Sequence, residues 1–293
     1  MFSYLLYAFI WSVSFLPLRI LYLISDISYY LLYYVVRYRR AVVRTNLKNA
    51  FPGKSLPEIV RIEKKFYRNL CDIFVELYKP WHMSPRSIRR RCIFKRTDIL
   101  QKYYDAGKSV IGVLGHYGNW EWMASYALWV DRPVDFLTLY KPMHDKVLDK
   151  MMFRIRSRFG AQPIPRNEIL RRIVKNRQEG RLFLAGFIAD QTPNVHNLHF
   201  WMNFLNQDTP VFLGTERIAR KFNLPVISLY MRKISRGHYE VEFVDLCPDP
   251  SVLAPGELTE MHTRLLEQQI REAPEYWLWS HRRWKHTRKN SEN

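Results

Sequence analysis

Nine histidines occur in the chain, and His116 has the surroundings best suited to proton transfer. It lies in Leu114-Gly115-His116-Tyr117-Gly118-Asn119-Trp120-Glu121-Trp122, between the apolar run Ser109 to Leu114 and the helical stretch Trp120 to Trp129. Glu121 follows His116 by five residues, so on one continuous helix the two would point about 140° apart. They meet only if His116 occupies a turn and Glu121 the first helical turn. Gly115 and Gly118 permit such a turn, and Asn119 can cap the helix. A carboxylate held on an imidazole fixes its tautomer and stabilises the imidazolium formed when the ring takes a proton. Asp190 ends a second apolar run, Leu182 to Ala189, and can share the histidine with Glu121. No serine or cysteine nucleophile adjoins the pair, and nothing places Cys92 near it. Such a pair suits general-base activation of a substrate hydroxyl, which then attacks a thioester without an acyl-enzyme.

These residues need a scaffold that brings loop ends together. Apolar runs at Ser109–Leu114, Leu182–Ala189 and Pro225–Met231 alternate with helical stretches at 54–81, 120–129, 146–159, 169–178, 214–222 and 258–273. Arg236-Gly237 turns the third run into Tyr239–Val244 as a hairpin. Alternation of this kind predicts an α/β fold, with a mostly parallel central sheet covered by helices on both faces. Ligands in such folds bind beyond the carboxyl ends of the strands, where His116 and Asp190 fall.

The chain has 293 residues with 46 basic and 27 acidic side chains, a formal charge of +19. That excludes an acidic disordered chain and points to a polyanionic partner. Cys71, Cys92 and Cys247 are odd in number and form no CxxC, so neither a disulfide framework nor a zinc knuckle is encoded. His196 and His199 form an HxxH pair without a third ligand and read as loop histidines.

From Phe2 to Val36 the only formal charges are Arg19 and Asp26, and the stretch holds Trp11 and seven tyrosines. Arg37, Arg39, Arg40, Arg44 and Lys48 follow at once. The pattern predicts an N-terminal membrane helix over residues 1–45, either a tilted span or a bent anchor in the interface, with the body on the cytoplasmic face. A buried helix pair opening a soluble protein is the plainer alternative. Residues 46–285 form the expected catalytic domain and 286–293 a polar tail.

The motifs together resemble the lipid A biosynthesis acyltransferases, the late lauroyl and myristoyl acyltransferases related to glycerolipid acyltransferases. The resemblance rests on VRYRRAVVRTNLKNAFP at 36–52, GHYGNWEW, Tyr140-Lys141-Pro142, RSRFGAQPIPRNE from Arg156, Asp190-Gln191 and APEYWLWSHRRWK at 273–285. It implies His116 as general base and Glu121 as its orienting acid, with no cofactor and no metal. It implies an acyl donor on acyl carrier protein, a phosphorylated lipid A precursor as acceptor, and the cell inner membrane as location. Arg156, Arg158 and Arg166 match the family's basic positions and are expected at lipid phosphates, with Tyr140, Lys141 and Asn119 also against substrate. Lys141 stands where arginine is common, exchanging a planar fork for a point charge.

Other charge clusters have two readings. Arg171, Arg172, Lys175 and Arg177 read as a solvated helix face, whereas the six basic residues from Arg86 to Arg96 suit either the acidic carrier protein or anionic headgroups. Trp277, Trp279 and Trp284, interleaved with Arg282, Arg283 and Lys285, suit a membrane interface or a packed core. Trp120, Trp122, Phe187 and Phe204 are candidates for the wall of an acyl groove. The same chemistry on a glycerolipid, an aminolipid or a phosphoinositol mannoside is the alternative function. A passive binder of nucleic acid or anionic membranes is a third reading; the apolar N-terminus argues against nucleic acid and the His–Glu turn against passivity.

Overall fold

A computed structural model describes residues 2–195, 198–286 and 288. The centre is a seven-stranded sheet ordered β1-β9-β8-β2-β5-β3-β4. Its strands are β1 Cys92–Lys95, β2 Val110–Leu114, β3 Asp135–Tyr140, β4 Gln162–Pro165, β5 Phe183–Ile188, β8 Val226–Ser235 and β9 His238–Cys247. β6 (Trp201–Phe204) and β7 (Gln207–Pro210) pair separately. Only β8 and β9 pair antiparallel in the main sheet. The expected mostly parallel α/β sheet is therefore present.

Each central strand alternates its side chains between two apolar layers, as the pleat requires. Val110, Leu184, Ile227 and Leu229 pack with Trp122, Met123 and Tyr126 on one face. Ile111, Val113, Phe183, Ala185 and Phe187 face the other, against Ile169 and Ile173 of α8 (Ile169–Gln178), Ala219 of α9 (Gly214–Phe222) and Leu258 of α10 (Glu257–Glu272). After β2 the chain moves along the sheet toward β3, and after β5 it returns past β2 to β8. Right-handed crossovers put those connections on opposite faces, so a crevice opens above the adjacent ends of β2 and β5.

The N-terminal segment corrects the expected span. Pro17 interrupts it, leaving α1 (Phe2–Ser14) and α2 (Leu18–Tyr30), each of 13 residues, followed by a π-helical turn Leu31–Val36. The thirteen residues of α1 rise about 20 Å, against about 30 Å of bilayer hydrocarbon, and α2 with its π-helical extension carries Arg19, Ser25, Asp26 and Ser28 along its length. Among the described residues no helix is long and apolar enough to cross a membrane.

The segment is seated on the body of the fold. Leu18 and Leu21 belong to the sheet's hydrophobic core, and Tyr29 and Tyr33 pack with Val43, Leu47 and Phe66. Polar ties reinforce the seat: Ser25 donates to Asp72 at 2.8 Å and Arg236 bridges Asp26 and Asp72 at 2.7 and 2.6 Å. The outward face stays apolar, with Phe2, Tyr4, Leu5, Phe9, Leu23 and Ile27 each more than 60% exposed.

Helix α4 (Leu56–Tyr78) is the strut between this segment and the sheet. Ser55 and Glu58 close a capping box at its start, and Ile59, Phe66, Leu70 and Ile73 bury one face. It also buries Glu63, Asp72 and Glu76.

Candidate active site

The geometry follows from strand register. Leu114 of β2 pairs with Ile188 of β5, so His116 and Asp190 both stand two residues beyond one rung of the ladder. His116 Nδ1 lies 2.6 Å from Asp190 Oδ1. Asp190 Oδ2 accepts the His116 backbone N–H at 2.8 Å and the Trp277 Nε1–H at 2.8 Å. Burial alone would push the Asp190 carboxyl up. The charge and hydrogen bonds of His116, with the Trp277 indole, carry it down to about 2. An ionised carboxylate on Nδ1 leaves the lone pair on Nε2, which faces the exposed Gln191 amide at 3.2 Å. Trp120 meets the imidazole edge-on, with centroids 5.1 Å apart.

The structure gives the imidazole to Asp190, not to Glu121. Glu121 opens a 3₁₀ run, Trp120–Trp129, where the sequence pattern predicts an ordinary helix. Its carboxylate takes a bidentate pair from Arg156 at 2.8 and 2.6 Å. Arg156, expected at a lipid phosphate, is thereby committed to Glu121, with Tyr140 beside its guanidinium. Asn119 is also corrected. It is fully buried, caps Trp122 N–H through Oδ1 at 3.2 Å and donates to Glu76 at 2.7 Å, so it shapes the turn from beneath. Arg158, Arg166 and Lys141 are exposed. Arg158 donates to the Trp81 carbonyl at 3.4 Å, while the Arg166 backbone N–H donates to the Tyr140 carbonyl at 3.0 Å beside the ends of β3 and β4.

Two supports of the turn escape sequence reasoning. One is Glu76, with no exposed surface, which accepts from Tyr22 at 2.8 Å, Asn119 at 2.7 Å and Tyr239 at 2.6 Å. Burial pushes its carboxyl up, opposed by Lys233 and the two tyrosine hydroxyls. It ties α2 to the His116 turn through one side chain. The other is the C-terminal segment, which runs beside the turn. Gly118 N–H donates to the Tyr276 carbonyl at 3.0 Å and Leu278 N–H to the His116 carbonyl at 3.1 Å. Trp277 and Trp279 are buried at 2% and 0%, so the interfacial reading of these tryptophans gives way to the core reading. Gly118 has φ of +59° and a Cβ there would meet Met231 Sδ at 2.8 Å, so the turn requires glycine on both counts.

A cavity with an empty volume of about 500 Å³, open to solvent, lies beside Trp120, whose ring meets the His116 imidazole. Leu114, Trp120, Met123, Phe136, Gly186 and Ile188 supply apolar wall, and Glu121 with Arg156 stands at its border. Of the four expected wall residues only Trp120 lines it. Trp122 is buried and donates to the Glu76 carbonyl at 3.0 Å, Phe187 faces the opposite layer, and Phe204 packs on Trp277. His196 lies outside the described residues, as does most of the expected polar tail.

An imidazole–carboxylate pair thus stands at the switch point of a mostly parallel α/β sheet, beside an apolar groove. The family model described as "Bacterial lipid A biosynthesis acyltransferase" matches residues 1–286, and the chain belongs to that family. It is 23% identical over 248 residues to the lipid A biosynthesis palmitoleoyltransferase of Escherichia coli K12, covering 84% of this chain and 79% of that protein. The lipid A biosynthesis acyltransferase of Shigella flexneri matches to the same extent. The protein is thus an acyltransferase of lipid A synthesis.

Proposed function

We propose that the protein transfers a fatty acyl chain from acyl carrier protein to a hydroxyl of a phosphorylated lipid A precursor at the inner membrane, working from the cytoplasmic face. The observation that carries the mechanism is the 2.6 Å contact of His116 Nδ1 with the buried Asp190 carboxylate. It leaves Nε2 free to take the proton of the acceptor alcohol once Gln191 swings aside. The alkoxide forms a bond to the thioester carbonyl carbon, the tetrahedral oxyanion collapses, and the C–S bond breaks. The carrier thiolate recovers the proton from His116. Asp190 holds the tautomer and balances the imidazolium throughout, without itself becoming protonated.

The groove beside Trp120 receives the acyl chain, and the Glu121–Arg156 pair borders it. Exposed Lys141 and Arg166, near the ends of β3 and β4, and Arg158 nearby are the basic groups available to acceptor phosphates. The apolar outer faces of α1 and α2 support seating in the bilayer surface, without a span.

The direct test incubates the purified chain with a panel of acyl carrier protein thioesters and lipid A precursors, followed by mass analysis. One added acyl chain on a precursor is expected. Transfer only to a glycerolipid or another alcohol would replace the acceptor. Gly186 adds a size test: it lines the groove, and a Cβ there would meet nothing closer than 3.7 Å. Gly186→Leu is expected to shift donor preference toward shorter chains. Each methylene displaced costs about 0.8 kcal/mol, roughly fourfold in kcat/KM. An unchanged donor profile would move the chain out of this groove.

A further inference from the structure

The helix α5 (Pro85–Arg91) and the tip of the β8–β9 hairpin enclose a second cleft, of about 690 Å³ and open to solvent. Ser84, Arg86, Ser87, Arg90, Arg91 and His238 line it, and no acidic residue does. Arg86 and Arg90 are exposed, whereas Arg91 is half-buried and set in place by donating to the Gly237 carbonyl at 3.2 Å. Three guanidinium groups gathered in one concavity repel one another unless an anion joins them. Their planar forks match the oxygens of a phosphate.

The cleft adjoins the corner between α1 and α2 from two directions. Gly237, at φ +71°, lies so close to α2 that a Cβ would overlap the Tyr22 hydroxyl and come within 3.3 Å of Arg91. On the other side the His82 ring stacks on Phe15 at 3.6 Å, two residues before the cleft begins at Ser84. That corner carries Trp11, Phe15, Ile20 and Leu23, each at least 42% exposed. Apolar surface and a basic concavity therefore share a border, which is the arrangement that binds acyl chains and an anionic headgroup together.

We propose that this cleft seats the phosphate headgroup of an anionic bilayer phospholipid, whose chains lie against the α1–α2 corner. The site is separate from the acyl-transfer crevice, and the inference rests on the reading that the protein works at a bilayer surface. A folded carrier protein fits the cleft less well, because protein partners need a broad contact of about 800 Å² per side. A single phosphate fits a concavity with three arginines.

The test is cosedimentation of the full chain with phosphatidylcholine vesicles, prepared with and without phosphatidylglycerol. Wild type is expected to prefer the anionic vesicles, and Arg86→Gln/Arg90→Gln to lose about tenfold of that affinity while binding neutral vesicles unchanged. Both replaced side chains are exposed, so folding should persist. Arg171→Gln/Lys175→Gln removes the same charge from exposed positions of α8 and is expected to bind anionic vesicles like wild type. The proposal is overturned if the first variant keeps the preference, if both variants lose it equally, or if the first loses neutral vesicles too. It is also overturned if its only defect is a raised KM for the carrier-protein donor. Wild type that binds no vesicle at all would instead remove the bilayer reading itself.

Discussion

His116→Ala is expected to lower acyl transfer about 10³-fold or more, with vesicle association and folding retained. The imidazole side chain is 16% exposed, so its removal leaves a small space at the mouth of the crevice, not a hole in the core. Its neighbours are poor substitutes as base: Gln191 does not titrate, Arg156 is held by Glu121, and His281 Nε2 already accepts the Thr192 N–H at 3.2 Å. The check is a mass-based transfer assay beside a thermal melt. A folded variant with activity within tenfold of wild type would remove the general base from this mechanism.

Asp190→Asn is expected to cost about 10²–10⁴-fold in kcat, for a reason specific to the hydrogen-bond pattern. Asp190 Oδ2 takes two N–H donors, from the His116 backbone and the Trp277 indole. An asparagine must keep its oxygen there, so its amide N–H₂ turns toward Nδ1 of His116. That forces Nδ1 to accept and puts the proton on Nε2, where the acceptor alcohol needs a lone pair. KM for either substrate should change little, since no substrate contact is removed. A variant with near-normal kcat would mean that Glu121, not Asp190, governs the imidazole.

Much of this site was legible in the residues. The glycine-flanked His116 turn, the asparagine cap and Asp190 at the end of an apolar run are local signals, and each stands where its spacing put it. The partner of His116 was not decidable locally. It depends on the Leu114–Ile188 pairing between strands far apart in sequence, and no periodicity within either segment reveals a register. Glu121 looks like the natural partner because it is near in sequence, yet Arg156 from α7 (Lys146–Ser157) claims it.

The missed strands have physical reasons too. β1 and β4 are edge strands of four residues, and β4, Gln-Pro-Ile-Pro, carries two prolines that a central strand would not tolerate. The N-terminal segment misled for another reason. Its apolar composition signals a surface that avoids water, but Pro17 divides it into two helices, and the polar tether at Ser25 and the ion pair at Asp26 hold the second against the body. Composition records how much apolar area there is, not whether it crosses a bilayer or packs against the body. The buried Glu76 hub could not be read at all, because its three partners come from α2, the His116 turn and β9.

The most direct test of a histidine base acting without a protein nucleophile is intact-protein mass spectrometry, after the chain is mixed with an acyl carrier protein thioester and no acceptor. The polypeptide mass should stay unmodified, and acyl transfer should begin only when a lipid alcohol is added. A stoichiometric adduct of one acyl chain that is discharged by the acceptor would contradict direct transfer from His116-activated alcohol to thioester.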